Sequence, residues 1–323
     1  MAQSVKGTRD LFGNEMAWFQ RIEDTARRVF ARHGYEEIRT PVLEEIEVFK
    51  RSVGESSDIV NKEMYEFMDK GGRHVVMRPE NTAGVVRAMI QHKLLINNDP
   101  KLLYYIGPMF RYERMQAGRY RQFWQIGAES FGVASPESEA ESLLMLMAFL
   151  QELGLKHLSL SINSVGTSEC RPAFHAAIRA FFQAREERFC EDCHRRIETN
   201  PLRVLDCKSP GCQAALEGHP VITEYLDEAS QRHHLRLKEL LTALDVPFEE
   251  NPRLVRGLDY YTRTAFEVLS SDLGAQSALL GGGRYDGLVK HLGGPEVPAF
   301  GWAIGLDRRA MLMQQLHGNA PLS

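Results

Sequence analysis

The sequence predicts an α+β protein whose core is interrupted by a mainly helical insertion. Amphipathic helical patterns alternate with short aromatic and β-branched runs, and two pairs of these runs are spaced as hairpins. Residues 166–229 instead carry helical segments with charged faces. Because 323 residues exceed the usual size of one core, we expect a core formed by residues 1–165 and 230–323, with residues 166–229 as a separate insertion domain.

The composition is that of an ordinary globular protein. Hydrophobic residues make up 43% and charged residues 25% of the chain, no apolar run approaches the ~20 residues that span a bilayer, and the N-terminus lacks the apolar segment of a signal peptide. The formal net charge of −4 argues against a uniformly basic surface, so any contact with nucleic acid would depend on a local patch. We expect a cytoplasmic protein without a membrane segment.

The N-terminal region is predicted to form a helix and then a strand. Residues 15–32 repeat apolar side chains at helical spacing, and Gly34 follows as a stop signal. Residues 35–44 alternate as a strand, which Pro41 restricts to an edge or an interface because proline lacks a backbone N–H. These elements alone are also compatible with an ordinary α/β protein.

The next segment is predicted to form a hairpin, from residues 62–69 and 73–78, that leads into a helix from about residue 83 to 91. Glu80 and Thr82 stand two residues apart at the start of this helix, so both can point into one pocket. Alternatively, Thr82 caps the helix, an interpretation that explains Thr82 better than Glu80.

Residues 110–129 are the most distinctive stretch. Residues 104–106 and 123–126 predict two strands around a basic loop that turns at Gly118. The loop offers arginines for phosphate oxygens and aromatic rings for a base, while Gln125 and Glu129 share one face of the second strand. This pattern predicts a nucleotide site beside a small polar substrate. The alternative is a solvated basic hairpin.

Further elements complete the predicted core. Residues 136–153 form an amphipathic helix that Ser135 caps, residues 158–163 alternate as a strand, and residues 231–244 return to a helical pattern. The helical patterns place leucine and methionine side chains on one face. We therefore expect these helices to pack on the sheet.

Four cysteines in the insertion have spacing close to that of a zinc site. The pattern is C-x2-C, thirteen residues, then C-x4-C, and the residues are Cys190, Cys193, Cys207 and Cys212. Four thiolates can hold one Zn²⁺ tetrahedrally and stabilise a region too small to build its own core. The alternative is that these are ordinary thiols of a helical insertion, as Cys170 is expected to be.

The C-terminal part of the chain contains three further stretches. Residues 254–268 pass from a glycine-containing turn into a strand and place Arg256, Tyr260 and Tyr261 near its start. The glycines at residues 281–283 can let the backbone approach a ligand, although such a run is more often an ordinary turn. Residues 299–309 predict a strand and then a helix whose first turn offers Arg308 to a nucleotide or to solvent.

The order of these motifs resembles that of histidyl-tRNA synthetases over essentially the whole chain. The resemblance covers the three motifs of class II aminoacyl-tRNA synthetases and two stretches, residues 254–264 and 282–287, that set the histidine enzyme apart. The motifs are the helix followed by the Pro41 strand, Arg78-Pro79-Glu80, Phe110-Arg111-Tyr112-Glu113, Arg256-Gly257-Leu258-Asp259-Tyr260-Tyr261 and Gly305-Leu306-Asp307-Arg308.

The resemblance implies a class II synthetase-type antiparallel sheet of six or seven strands flanked by helices, and a homodimer. It also implies a ligase of protein biosynthesis that uses ATP with Mg²⁺ to convert histidine to histidyl-adenylate and then charges tRNA(His). The carboxylate of histidine is already ionised at neutral pH, so catalysis would depend on positioning and charge neutralisation rather than on a general base.

The resemblance further assigns candidate site residues. The catalytic pair is Arg111 and Arg256, which would hold the α-phosphate and the substrate carboxylate. The histidine site would comprise Glu80, Asn81, Thr82, Arg111, Gln125, Glu129, Arg256, Tyr260, Tyr261 and Tyr285, with Glu80, Thr82 and Gln125 around the α-ammonium and Glu129 and Tyr261 at the two imidazole nitrogens. The ATP site would comprise Arg111, Glu113, Arg119, Tyr120, Phe123 and Arg308, with Arg119 and Arg308 on the outer phosphates and Phe123 and Arg308 around adenine.

The sequence departs from the family pattern at five positions, which bears on loop geometry and ATP affinity. The family more often has Gly at Asn81, His at Tyr112, Pro at Met115, His at Trp124 and Glu at Asp307. The resembled enzymes also continue after the last helix into an anticodon-binding domain. Without such a domain we expect histidine activation to be near normal and tRNA charging to be weaker, because phosphate contacts are lost.

The competing expectation is a non-catalytic, synthetase-like regulatory subunit of ATP phosphoribosyltransferase in histidine biosynthesis. Such a subunit is about this long and also lacks an anticodon-binding domain. The presence of Arg256 together with Arg111, Arg119 and Arg308 favours the enzyme, because a regulator that only senses histidine would not require them.

Overall fold

The structure is a computed structural model that describes residues 2–53, 59–95, 99–116, 118–258, 260–271 and 277–318. Ala117 in the basic loop and Asp259 in the Arg256 motif lie outside the described residues. Among the described residues, every helix is too short or too polar to cross a lipid bilayer. The elements are α1 (Gly13–Arg32), β1 (Glu36–Glu37), β2 (Leu43–Glu45), α2 (Ile46–Val53), β3 (Tyr65–Met68), β4 (His74–Met77), α3 (Thr82–Gln91), β5 (Lys101–Phe110), β6 (Gln122–Phe131), α4 (Pro136–Glu152), β7 (Leu158–Ser164), α5 (Arg171–Gln183), α6 (Glu191–Thr199), α7 (Pro210–Ala215), α8 (Glu228–Ala243), β8 (Phe248–Glu250), β9 (Thr262–Ser270), β10 (Ser277–Arg284), α9 (Leu288–His291), β11 (Ala299–Gly305) and α10 (Leu306–His317).

The main sheet is largely antiparallel, as predicted. Its strands lie in the order β1-β5-β6-β11-β10-β9-β7-β8 within the described residues. The six inner strands pair antiparallel with one another, whereas the short outer strands β1 and β8 pair parallel with β5 and β7. A smaller sheet contains β2, β4 and β3, so the predicted hairpin at residues 62–78 is confirmed.

Two predictions about strands were wrong. Residues 35–44 do not form one strand, because the chain leaves the main sheet after β1 and joins the small sheet at β2, with Pro41 in the connection. The glycines at residues 281–283 do not form a turn but lie inside β10, between β9 and β11. A side chain at Gly282 would collide with the backbone of Gly301 and with Trp302, so close contact between strands explains why glycine stands there.

Two hydrophobic clusters cover opposite faces of the main sheet. One packs α1, α4, α8 and α10 against the sheet through residues such as Trp18, Phe149 and Trp302. The other packs α3 on the opposite face and includes the side chains of Tyr105 and Tyr285. Successive strand residues point to opposite faces, so Glu129 shares the second face with Phe131. The candidate site therefore lies on the face that α3 covers.

The insertion has a cluster of its own. Phe174 and Ile178 of α5 pack with Cys193 of α6 and Cys212 of α7, and Val255 of the core joins them. The predicted boundaries at residues 166 and 229 stay predictions.

Candidate active site

Glycines in the central strands make room for four large side chains on the α3-covered face of the sheet. A Cβ atom added at any of these glycines would collide with the side chain above it. Each glycine therefore lets a functional group lie almost flat on the backbone. The pairs are Gly107 with Arg78, Gly127 with Tyr105, Gly301 with Glu129, and Gly281 with Arg256.

Glu129 of β6 is completely buried and is held by hydroxyl groups. The Thr82 hydroxyl donates a hydrogen bond of 2.8 Å to Oε1, and the Tyr285 hydroxyl donates to Oε2. The pKa of Glu129 is raised to about 8. Burial is the main cause and the nearby Glu80 carboxylate adds to it, while the two hydroxyl groups act in the opposite direction. The carboxylate is thus fixed in place before any ligand binds.

Glu80 and not Thr82 caps α3 with its side chain, so the alternative in which Thr82 is the cap is not observed. Its Oε2 accepts a 2.6 Å hydrogen bond from the Thr82 N–H, and its Oε1 accepts one of 3.0 Å from the Ala83 N–H. A carboxylate suits the positive end of a helix and can accept two N–H groups at once. Burial raises the pKa of Glu80. The Thr82 hydroxyl is consequently free to hold Glu129.

Three tyrosines complete the pocket around Glu129. The ring of Tyr260 lies 4.7 Å from that of Tyr261 and 5.5 Å from that of Tyr285, between ring centroids. Burial raises the pKa of all three hydroxyl groups. We call this group the tyrosine pocket, and its residues are Glu80, Thr82, Glu129, Tyr260, Tyr261 and Tyr285.

The two remaining candidates for the histidine site differ in their surroundings. Gln125 lies on β6 on the same face as Glu129, and its buried Oε1 finds no hydrogen-bond partner among the described residues. Asn81 has other partners: its Oδ1 accepts hydrogen bonds from the Thr40 hydroxyl at 2.6 Å and from Arg78 at 3.2 Å. The structure therefore directs the Asn81 oxygen to Thr40 and not to the tyrosine pocket.

All six residues predicted for the ATP site line one cleft of about 170 Å³. Glu113 lies between two arginines, 3.7 Å from Arg111 and 3.4 Å from Arg119. The Arg111 guanidinium lies 5.4 Å from the centre of the Phe123 ring and donates to the Pro79 carbonyl at 2.8 Å. We call this the arginine cleft, which is lined by Arg111, Glu113, Gly118, Arg119, Tyr120, Phe123, Gly305, Asp307 and Arg308.

The arginine cleft is suited to an anion. Helix α10 begins at its wall, where Gly305, Asp307 and Arg308 line the cleft, and the N-terminal end of a helix favours negative charge. Burial and the neighbouring charge of Arg119 lower the pKa of Arg308, and Glu113 only partly opposes them. Positive charge is therefore concentrated here next to an aromatic ring, as phosphate and base recognition would require.

Arg256 lies outside the arginine cleft, beside Tyr261. It pairs with Glu267 at 2.5 Å and rests over Gly281. With Tyr261 it lines a second cavity, of about 270 Å³, which extends to Arg171 and Arg179 of the insertion. Arg256 thus stands where the tyrosine pocket meets the insertion.

The sequence analysis missed the contribution of the N-terminal segment. The Gly7 carbonyl accepts a 2.8 Å hydrogen bond from the Arg121 N–H. Arg9 donates to Asp307 Oδ1 at 2.8 Å, and its guanidinium lies 4.0 Å from the centre of the Tyr120 ring. No periodic pattern marks these residues, and their partners are far away in sequence, so no sequence signal was available.

The four predicted cysteines come together. All four Sγ atoms of Cys190, Cys193, Cys207 and Cys212 lie within 4.8 Å of one another, and those of Cys190 and Cys207 are 3.8 Å apart. Zn–S bonds of about 2.3 Å in a tetrahedron separate the sulfurs by about 3.8 Å, so the residues fit a zinc ion. The Cys193 N–H lowers the pKa of Cys190 to about 7, which favours a thiolate there, whereas burial raises the pKa of Cys193 and of Cys207. Cys170 lies apart and accepts a hydrogen bond from the Thr167 N–H.

Comparisons with known proteins identify relatives of this arrangement. Residues 7–308 match the family model described as histidyl-tRNA synthetase. The chain is 55% identical over 309 residues to a histidine–tRNA ligase of Trichlorobacter lovleyi, covering 96% of this chain and 74% of that protein. It is 51% identical to a histidine–tRNA ligase of Desulforapulum autotrophicum, covering 98% of this chain and 75% of that protein.

Solved structures give the same picture. Histidyl-tRNA synthetase from S. aureus superposes with a TM-score of 0.80 at 39% identity, over 99% of this chain and 75% of that one. A protein from Bacillus halodurans, described as an ATP phosphoribosyltransferase regulatory subunit/histidyl-tRNA synthetase, superposes with a TM-score of 0.71 at 22% identity, over 97% of this chain and 83% of that one. The second likeness concerns the fold alone.

Proposed function

This chain belongs to the histidyl-tRNA synthetase family, and we propose that it activates histidine with ATP and transfers the histidyl group to tRNA(His). The observation that carries the proposal is the joint placement of an arginine cleft and a buried acid–tyrosine pocket on one face of the sheet. The arginine cleft offers groups for phosphates and a base, and the tyrosine pocket offers groups for a small polar substrate.

Histidine is recognised in the tyrosine pocket. Neutral imidazole offers one N–H donor and one acceptor nitrogen. Glu129 accepts from the N–H, and the Tyr261 hydroxyl donates to the other nitrogen. The unpartnered oxygen of Gln125 supports a place for the α-ammonium group, together with Glu80 and Thr82. A wrong amino acid would leave these buried groups unpaired, which is a larger penalty than a missing methylene.

ATP binds in the arginine cleft. Phe123 and Arg308 enclose adenine, Arg119 and Arg308 contact the outer phosphates, and Tyr120 lines the wall. Arg111 and Arg256 approach the reacting groups from two sides and neutralise charge at the α-phosphate and the histidine carboxylate. Glu113 is the cleft carboxylate suited to Mg²⁺, since Asp307 already accepts hydrogen bonds from Arg9 and Trp124. Bound Mg²⁺ supplies charge neutralisation on the phosphates.

Pyrophosphate exchange tests the proposal. We expect ATP to incorporate labelled pyrophosphate only when histidine is present, with other amino acids at least about 100-fold less effective. Charging of tRNA(His) on the same preparation tests the second step. An absence of histidine-dependent exchange at any enzyme concentration would reject the activity.

The second candidate is the regulatory subunit of ATP phosphoribosyltransferase. The likeness to the B. halodurans protein supports it only at the level of fold. The grouping of Arg111, Arg119 and Arg308 in one cleft favours the enzyme, because sensing histidine does not require a triphosphate site. Stimulation of a phosphoribosyltransferase by the chain, without any exchange activity, would favour the regulator.

We also propose that the four cysteines hold a structural Zn²⁺ that stabilises the insertion. They belong to the cluster that packs α5, α6 and α7 together. Protein purified without chelator should carry about one equivalent of zinc, and Cys193→Ser should lose the metal and lower the melting temperature. Less than about half an equivalent of zinc would reject the site.

We further propose a homodimer that acts in the cytoplasm, where charged tRNA is used. A groove of about 700 Å³ passes Pro41, Leu43 and Val75. Nearby apolar side chains of the small sheet are exposed, with Phe67 at 44% and Met68 at 61%. A second copy would cover this surface. Sedimentation analysis showing only monomers at micromolar concentration would reject the dimer.

A further inference from the structure

We propose that Arg9 is a positioning residue for ATP, which acts through Asp307 and Tyr120 rather than by touching the nucleotide. This inference rests on the proposed ATP site in the arginine cleft. It adds a residue from the start of the chain to a site otherwise built from residues after position 110.

Arg9 joins three separate elements with one planar group. One nitrogen donates to Glu15 at the start of α1, and the other donates to Asp307 Oδ1 at the start of α10 at 2.8 Å. The face of the guanidinium covers the Tyr120 ring at 4.0 Å. A rigid, planar cation can form two forked contacts and a stacked contact at once, which a lysine cannot.

Asp307 connects Arg9 to the arginine cleft. Its carboxylate is nearly buried, and Oδ2 accepts a 2.8 Å hydrogen bond from the backbone N–H of Trp124 in β6. Asp307 therefore fixes the start of α10, which carries Arg308, to the strand that carries Phe123. Those two side chains enclose the base in the proposed site.

Arg9 also neutralises a charge that would oppose ATP. Burial raises the pKa of Asp307, while the Trp124 N–H and the Arg9 cation lower it. Without Arg9 the carboxylate would be compensated by backbone N–H groups only, beside a site for a polyanion.

The experiment is steady-state pyrophosphate exchange with Arg9→Ala. We expect the KM for ATP to rise about tenfold, the scale of one charge-assisted contact, with the KM for histidine and kcat within about twofold. Arg9→Lys keeps the charge and should recover part of the ATP affinity. The matched control is Glu15→Gln, which removes the other ion pair of Arg9 and should leave the KM for ATP within about twofold.

A double-mutant cycle with Asp307→Asn tests whether Arg9 acts through Asp307. If Arg9 acts through Asp307, Arg9→Ala should raise the KM for ATP less in the Asp307→Asn background. Strictly independent effects, equal rises in both KM values, or a lower melting temperature with an unchanged KM for ATP would each overturn the inference. Exchange by the unaltered protein is measured alongside, so a failure of the proposed function is distinguished from a failure of this inference.

Discussion

The tyrosine pocket and the arginine cleft manage charge in opposite ways. In the pocket two carboxylates are buried, and hydroxyl and backbone N–H groups hold them, with no salt bridge to either from a residue that the structure describes. In the cleft the charges are cationic and more exposed, and one carboxylate, Glu113, lies between Arg111 and Arg119. The pocket is therefore organised before its substrate arrives, whereas the cleft keeps more exposed cations for an incoming anion.

The largest expected effect concerns Arg256, a cation that lies outside the arginine cleft and beside Tyr261 of the tyrosine pocket. Arg256→Ala should lower histidine-dependent pyrophosphate exchange by about 100-fold or more, because a preorganised charge opposite the transition state is lost. Binding of histidine and of ATP, measured by calorimetry, should stay within about tenfold. Glu267→Gln is the matched control, since it leaves the cation in place. A change confined to the KM values would contradict this role.

The next effect concerns the buried acid. Above its pKa of about 8 Glu129 is ionised, so at pH 9 Glu129→Gln removes the charge that would face the imidazole N–H, and a hydrogen bond to a charged group is worth about 1.5–3 kcal/mol. We expect the KM for histidine to rise roughly 10- to 100-fold and the KM for ATP to change by less than about threefold. Steady-state exchange with each substrate varied in turn measures both. Equal losses for the two substrates would place Glu129 outside the histidine site.

Gly281 beneath Arg256 and Gly301 beneath Glu129 allow the same glycine-to-alanine substitution beside a cation and beside a buried carboxylate. At Gly281 the three atoms nearest to an added Cβ all belong to the guanidinium of Arg256, whereas at Gly301 they include the Glu129 carboxylate and the backbone oxygen of Ala128. Gly281→Ala should reduce the exchange rate about tenfold, because Arg256 is displaced, with little loss of stability. Gly301→Ala should also lower the melting temperature by several degrees, because a buried group must move.

Parallel kinetics and thermal melts of the two variants test this contrast. A similar loss of stability in both would mean that the two sides of the site are equally rigid.

The smallest effect is a dependence of stability on pH. The pKa of Glu129 is raised from its ordinary value of 4.5 to about 8 by burial, so the folded protein binds a proton that the unfolded chain releases. This contribution to stability is complete below pH 4.5 and is lost as pH rises through 8. Glu129→Gln cannot ionise. Its melting temperature relative to the unaltered protein should therefore rise by a few degrees between pH 5 and pH 9, and a constant difference would contradict the raised pKa.

Periodic elements were predictable from the sequence, whereas contacts between distant parts of the chain were not. The helix at residues 136–153 and the strand–helix unit around Gly305 follow from local patterns, and the structure confirms both. The position of the glycines at residues 281–283 inside β10 was not predicted, because glycine is required there by close contacts with the neighbouring strands. The sequence could not decide between the pocket and the cap for Thr82, because the partner of its hydroxyl is 47 positions away. Arg9 is 298 positions from Asp307, so no local rule could join them.

The ends of the main sheet affect the behaviour of the protein at high concentration. The outer strands β1 and β8 are only two and three residues long, and each carries two exposed glutamates. Long, apolar sheet edges act as templates on which further chains add strands. Here each edge is short and carries charged side chains, with Glu37 paired to Arg39 and Glu250 paired to Lys238, so each offers few backbone groups and a polar surface to an added strand. The two shortest strands of the main sheet therefore disfavour amyloid-like stacking of further chains.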